Sequence, residues 1–151
     1  MAETLAERFE TLSSLFEKDH LRMACMLDAV QALCEARSYL SAARLFGEFR
    51  QLQEHHLDGE ERALGQLSGA GTCPNELREA LTREHLGIRE LMTDVGNAIS
   101  QNDETKFSRS VELLGRWVLT HNDHETQQFL PALFRGMPAE QRESEVRRIV
   151  S

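Results

Sequence analysis

The chain has 151 residues and a mass of 17.2 kDa, a length that suits one domain and leaves little room for two. Its 3 Pro, 9 Gly and 6% aromatic residues are too few turn and strand formers for an all-β sandwich or barrel. A formal net charge of −8 argues against nucleic-acid binding, and no apolar run approaches the roughly 20 residues of a membrane span.

The N-terminal sequence and the cysteines predict a cytoplasmic protein. Acidic residues occur in the first ten positions, where a secretory signal has a basic and then an apolar stretch. Cys25, Cys34 and Cys73 form no Cys-x-x-Cys pair. We therefore expect reduced thiols, with neither a disulfide framework nor a thiolate metal site.

The first elements along the chain are predicted from capping signals. Thr4 with Glu7 and Ser14 with Glu17 each have the form of a capping box. They predict a short leading helix followed by a long helix that begins near Leu15. From there, apolar residues recur every three or four positions, as one buried helix face requires.

Breaks in this pattern predict four long helices and a short C-terminal one. They lie at residues 38–41, 68–74 and 101–103, with Pro74 expected at the first position of the third helix. Pro131 is expected to kink or end the fourth helix, and residues 136–138 to precede a short charged helix.

Short breaks between long amphipathic helices indicate antiparallel neighbours. The predicted fold is therefore all-α, an up-down-up-down antiparallel four-helix bundle with short N- and C-terminal helices. We expect residues 1–151 to form a single domain, with the bundle core at about residues 14–135.

Each of the four apolar stripes is interrupted by one histidine at a position that should face the core: His20, His56, His85 and His121. One such histidine is ordinarily a hydrogen-bonded core residue, because an unpaired buried imidazole loses its hydration. Four of them need a shared explanation. The midpoints between consecutive members of this set are residues 38, 70.5 and 103, and each falls in a predicted break. All four imidazoles are therefore expected in one layer of the core, since helices rise about 1.5 Å per residue.

Two glutamates follow the same geometry. His56-x-x-x-Glu60 and His121-x-x-x-Glu125 each place a carboxylate one turn beyond an imidazole on the same helix face. Nitrogen and oxygen donors without thiolate suit iron, manganese or zinc. Six donors exceed one tetrahedral zinc but fit two ions, with both carboxylates bridging and coordination positions left open for a small ligand. The remaining histidines, His55 and His124, lie off the stripes and are expected at the surface or next to the ligands.

This pattern of residues resembles the hemerythrin-like, HHE cation-binding domain family over roughly residues 14–135. The likeness lies in a single histidine on each of the first and third helices, the two His-x-x-x-Glu pairs, and the Phe-Leu-Pro sequence at residues 129–131. It implies a four-helix bundle that holds two non-haem iron ions, with zinc or manganese as alternatives. It also implies terminal and bridging ligands: His20, His56, His85 and His121 as terminal ligands, Glu60 and Glu125 as bridges.

One position departs from the oxygen-carrying hemerythrins, which have a second histidine four residues after the third-helix ligand. Here that residue is Arg89. The chain therefore resembles the histidine-poorer branch of the family, which includes iron or oxygen sensors and proteins that handle nitric oxide or peroxide. We expect Arg89 to be exposed, since an inward guanidinium would need a counter-charge such as Glu90 or a bound anion.

The leading hypothesis is a di-iron protein that binds or reacts with dioxygen or a related small oxidant (nitric oxide, peroxide), acting as a sensor or in iron and oxidative-stress handling. Its expected partner is that small molecule, with no nucleic acid and no membrane. No catalytic residue is assigned, and enzymatic turnover is left open. The alternatives are a non-redox metal-binding bundle and a phosphotransfer or interaction module using His55 or His124.

The sequence disfavours a ferritin-like bundle, the other class of di-iron helical bundle. Ferritin-like bundles need two Glu-x-x-His motifs, and only Glu17 with His20 has that form.

Overall fold

The computed structural model describes residues 2–150, in which all regular secondary structure is helical. The helices are α1 (Leu5–Glu35), α2 (Tyr39–Gly69), α3 (Asn75–Ser100), α4 (Glu104–His124), α5 (Leu130–Gly136) and α6 (Ala139–Val150), with a π-helix over Glu125–Phe129 joining α4 to α5. The predicted all-α class is thus confirmed. Across residues 2–150, every helix is too short or too polar to traverse a lipid bilayer.

Helix α1 is continuous, so the predicted short leading helix is wrong. The first capping box is present: the Glu7 N–H donates to the Thr4 hydroxyl, and the Thr4 N–H donates to the Glu7 carboxylate. Ser14, expected to cap a second helix, lies inside α1. The buried side chains of Leu12 and Phe16 extend the apolar stripe through this position, and their packing outweighs the local capping signal.

Each of the three turns between the long helices contains one residue with a positive φ: Arg37 (58°), Gly71 (72°) and Asn102 (51°). Its N–H donates to the carbonyl three residues earlier, and the following N–H donates to the carbonyl five residues earlier. This Schellman pattern ends a helix abruptly. The second and third turns match the predicted breaks. In the first turn, α2 already begins at Tyr39, inside the predicted break. In the second turn, Pro74 precedes α3 rather than starting it.

The predicted disturbance at Pro131 takes the form of a π-helix in the preceding turn. Pro131 lies in the first turn of α5 and has no N–H to offer the carbonyl one turn earlier. The Leu130 N–H donates to the Glu125 carbonyl, five residues back, which is the π pattern. The short C-terminal helix α6 follows Pro138, as predicted.

The hydrophobic core consists of two clusters with a polar layer between them. The first core cluster combines buried side chains from residues 23–34 of α1, 42–57 of α2, 88–99 of α3 and 107–114 of α4. The layer next to it contains the buried histidines and glutamates.

The second core cluster lies on the other side of this layer. It combines residues 12–16 of α1, 63–67 of α2 and 77–81 of α3 with the π-helix, α5 and α6. Helix α6 packs against α2 and α1, and its Val146 and Ile149 are fully buried there. The polar layer is therefore enclosed by apolar side chains at both ends.

Candidate metal centre

The six residues predicted as ligands lie together in the polar layer. Five of them are at most 1% exposed, and the His20 side chain is 12% exposed. They form two groups of three, each with two histidines and one glutamate, whose nitrogen and oxygen atoms lie within 4.8 Å of one another. The first group is His20, His56 and Glu125; the second is Glu60, His85 and His121.

In the first group, the imidazoles of α1 and α2 face the carboxylate that begins the π-helix. The Nε2 atoms of His20 and His56 lie 2.7 and 3.3 Å from Glu125 Oε2. Phe16, one turn before His20, packs edge-on against both imidazole rings and closes this side from the second core cluster.

In the second group, the imidazoles of α3 and α4 face the carboxylate of α2. The Nε2 atoms of His85 and His121 lie 2.9 and 3.1 Å from Glu60 Oε2. Their rings meet edge to face, with centroids 4.8 Å apart. The two groups therefore have the same composition and the same arrangement around one carboxylate oxygen.

The second oxygen of each carboxylate faces the other group. Glu60 Oε1 lies 2.7 Å from His56 Nε2, and Glu125 Oε1 lies 2.6 Å from His121 Nε2. Each glutamate thus presents one oxygen to each group of three. The carboxylates of Glu60 and Glu125 therefore lie between the two groups and contact histidines of both.

Several of these short contacts are not hydrogen bonds. Although their nitrogen–oxygen distances are below 3 Å, four fully buried atoms have no hydrogen-bond partner within residues 2–150: His20 Nε2, His121 Nε2, Glu60 Oε1 and Glu125 Oε1. Buried polar atoms are rarely left without partners, because each one loses its hydration. A bound cation needs several lone pairs that point toward it and are not already used in hydrogen bonds. These four atoms meet that requirement, so the donor set fits metal ions.

Three further carboxylates orient the imidazoles, and the sequence analysis did not find them. Asp19 Oδ2 lies 2.7 Å from His56 Nδ1, Glu61 Oε1 lies 2.9 Å from His85 Nδ1, and Glu84 Oε2 lies 2.9 Å from His121 Nδ1. Each Nδ1–H donates to its carboxylate, which turns Nε2 toward Glu60 and Glu125. The available signal was an acidic residue next to a predicted ligand in the sequence. Each such residue reaches the imidazole of the following helix.

The pKa values of four buried groups are displaced toward their charged forms: His56, Glu60, His121 and Glu125. Burial works against ionisation of Glu60, but the His121 and His56 imidazoles hold its pKa well below the ordinary value. Burial likewise opposes protonation of His56 and His121, whereas the Glu60 and Glu125 carboxylates raise their pKa values well above the ordinary one. The electrostatics of the layer therefore favour bound positive charge.

The two histidines off the stripes have different environments. His124 Nδ1 contacts Glu84, the carboxylate that also accepts from His121, so His124 lies next to a predicted ligand. His55 is exposed, and its Nε2 lies 2.6 Å from the Arg148 carbonyl at the end of α6. These positions agree with the expectation of a surface residue and a neighbour of the ligands.

Arg89 is half-buried, with 28% of its side chain exposed, rather than free at the surface. Its guanidinium donates to Glu54, Asp58 and Glu61 at 2.8, 2.8 and 2.6 Å. The counter-charges are thus three carboxylates of α2 and not Glu90. Because Glu61 also accepts from His85, Arg89 contacts the candidate centre indirectly, through this carboxylate.

Comparison with protein families matches residues 11–133 to the hemerythrin HHE cation binding domain. The chain belongs to this family. Hemerythrin HHE domains bind cations, and the two three-residue groups lie within the matched segment. Comparison of the hemerythrin chain with curated proteins and with solved structures finds no match. Helix α6 lies beyond the segment that matches the hemerythrin family.

Proposed function

We propose that this hemerythrin-family chain binds two non-haem iron ions and uses them to bind or react with dioxygen or a related small oxidant such as nitric oxide or peroxide. In this proposal His20 and His56 hold one ion, His85 and His121 hold the other, and Glu60 and Glu125 bridge the two. One observation carries the proposal: each buried carboxylate directs one oxygen toward each group of two histidines.

The proposal includes one domain over residues 1–151 and an up-down-up-down bundle. The contacts of α1 with α2, α2 with α3 and α3 with α4 support that order. Iron, when bound, supplies open coordination positions and one-electron chemistry. The chain's own residues hold the ions, fix the imidazole orientation through Asp19, Glu61 and Glu84, and exclude water with the two core clusters.

Metal analysis and absorption spectroscopy test this function. Protein loaded anaerobically with Fe(II) should retain two irons per chain by mass spectrometry, and exposure to air should produce a ligand-to-metal charge-transfer band. His85→Leu should lose iron, because it removes a donor of the second group. His55→Leu, which changes an exposed histidine, should retain both ions. A colourless protein that stays metal-free after aerobic iron loading would refute the proposal.

A non-redox metal-binding bundle, loaded with zinc or manganese, is the second candidate, because the unpartnered nitrogen and oxygen atoms suit those ions as well. It predicts that chelation lowers the melting temperature while oxygen leaves the spectrum unchanged. Rapid oxygen consumption by the iron form would eliminate it. The phosphotransfer alternative is less well supported, since His55 and His124 both have contacts and the buried layer would have no role.

A further inference from the structure

Helix α2 places a glutamine on the same buried stripe as its two proposed ligands. The stripe is Phe49, Gln53, His56, Glu60, Ala63 and Leu67, with the alternating spacing of four and three that keeps residues on one helix face. Gln53 is 1% exposed, and within residues 2–150 its Oε1 has no hydrogen-bond partner. A buried amide in an apolar core is unfavourable unless something satisfies it.

The proposed carboxylate bridges both lie on one side of the histidine layer. Glu60 and Glu125 follow their histidines by one turn, and that direction leads along α2 and α4 into the second core cluster. At the same level Phe16 and Leu81 close the side with apolar contacts. Metal ions held by these residues would therefore have their remaining coordination positions on the other side, toward the first core cluster.

The opposite side is apolar except at one position. Three residues from the histidines, in the direction of the first core cluster, the four long helices place Met23, Gln53, Ile88 and Val118. Met23 and Ile88 belong to this cluster, and Val118 packs against it. Gln53 is thus the one polar side chain among these four, three residues from His56 on the same face.

We propose that the Gln53 amide hydrogen-bonds a small exogenous ligand bound on the open side of the metal pair, and so determines which ligands the centre retains. This inference rests on the proposed function. With the amide rotated so that Nε2 takes the place of Oε1, it donates a hydrogen bond, which matches a small anion or a diatomic molecule with a polar terminal atom. The surrounding apolar side chains exclude water and strengthen that single hydrogen bond.

Azide, a small anion that coordinates iron, is the probe. Iron-loaded oxidised protein is titrated with azide and followed by absorption, comparing the wild type with Gln53→Met, which keeps the volume and removes the amide. We expect the variant to retain its iron and to bind azide about tenfold more weakly. Met23→Leu, an apolar exchange at the same level, should leave the azide Kd within about twofold.

A second measurement uses the metal-free protein. Because Gln53→Met removes a buried amide without a partner, it should raise the midpoint of thermal unfolding in the absence of metal. Gln53→Leu should give the same two results. If Gln53→Met holds two irons per chain and binds azide as tightly as the wild type, this inference is overturned and the proposed function stands. The same conclusion follows if the wild type holds two irons per chain and binds no azide. A destabilised metal-free variant would also overturn it, since the amide would then have a structural partner. Wild-type protein that takes up no iron overturns the proposed function and the inference together.

Discussion

Three of the four imidazoles in the polar layer present Nε2 inward because a carboxylate from the neighbouring helix accepts from Nδ1. The acceptors Asp19 and Glu84 each precede a proposed ligand by one residue, and Glu61 follows one. At the scale of single residues, the tautomer of these three histidines is therefore set by an acid that is adjacent to a different proposed ligand in the sequence.

Asp19 offers the clearest test of this arrangement. Asp19→Asn keeps the size and one acceptor but removes the charge next to His56, so we expect metal affinity to fall about tenfold. Competition with a chelator of known affinity measures the change. Asp28→Asn makes the same charge change at an exposed position of α1 and should have no effect. Equal affinities for both variants would contradict the role of Asp19.

Arg89 acts on the centre through Glu61. Arg89→Met should lower the free energy of unfolding by about 1 kcal/mol, a modest amount because the ion pairs are partly exposed. Because Glu61 then loses the guanidinium that holds it in position against His85, metal affinity should also fall severalfold. Denaturant unfolding and chelator competition report the two effects, with exposed Arg83→Met as the control. A variant with normal affinity and reduced stability would limit Arg89 to a structural role.

At the scale of elements, α6 docks against the segment of α2 that carries the proposed ligands. Gly59, the residue before Glu60, faces Ile149: a Cβ built at this glycine would lie 2.8 Å from Ile149 Cγ1 and 3.1 Å from its Cα. Glycine is needed here for close approach of two helices and not for backbone conformation. The buried Glu145 adds polar contacts to Arg62 and Gln66 of α2.

Substitution of Gly59 should therefore loosen α6. Gly59→Ala is expected to destabilise the protein by about 1–3 kcal/mol, because the backbone of α6 must move. Gly65→Ala, on the same helix with open space around it, should instead stabilise by about 0.5–1 kcal/mol through its higher helix propensity. Thermal unfolding of both variants gives the comparison. Stabilisation by both substitutions would show that α6 is not closely packed in solution.

The elements also show which parts of the fold local sequence signals predict. The second and third turns were predicted from glycine, proline and polar residues, and their positive-φ residues Gly71 and Asn102 are types that tolerate this conformation. In the first turn the positive-φ residue is Arg37, which lies just before the break predicted at residues 38–41. The continuity of α1 was not found, because Ser14 satisfies a local capping rule while Leu12 and Phe16 are buried by distant helices. The π-helix before Pro131 was expected only as a kink, since its hydrogen-bond register depends on packing around Glu125.

At the scale of the whole molecule, the polar layer should make stability depend on metal. Ions that bind only the folded protein stabilise it by mass action, about 2.7 kcal/mol at a concentration one hundred times the Kd. We therefore expect a chelator to lower the melting temperature measured by calorimetry. The double variant Glu60→Gln/Glu125→Gln lacks both proposed bridging carboxylates. A chelator should therefore cause little decrease in its melting temperature. An unchanged wild-type melting temperature would contradict metal binding in the core.

From the sequence alone, the spacing of apolar residues predicted the helices. The spacing of histidines predicted that four imidazoles lie at one depth, with two glutamates one turn beyond, because helical rise converts residue number into distance. Only the tertiary structure decided which carboxylate oxygen faces which imidazole, which acids hold the Nδ1 atoms, and that α6 closes against α2. These features depend on the rotation of each helix about its axis and on side-chain direction. Packing between residues far apart in the chain determines both.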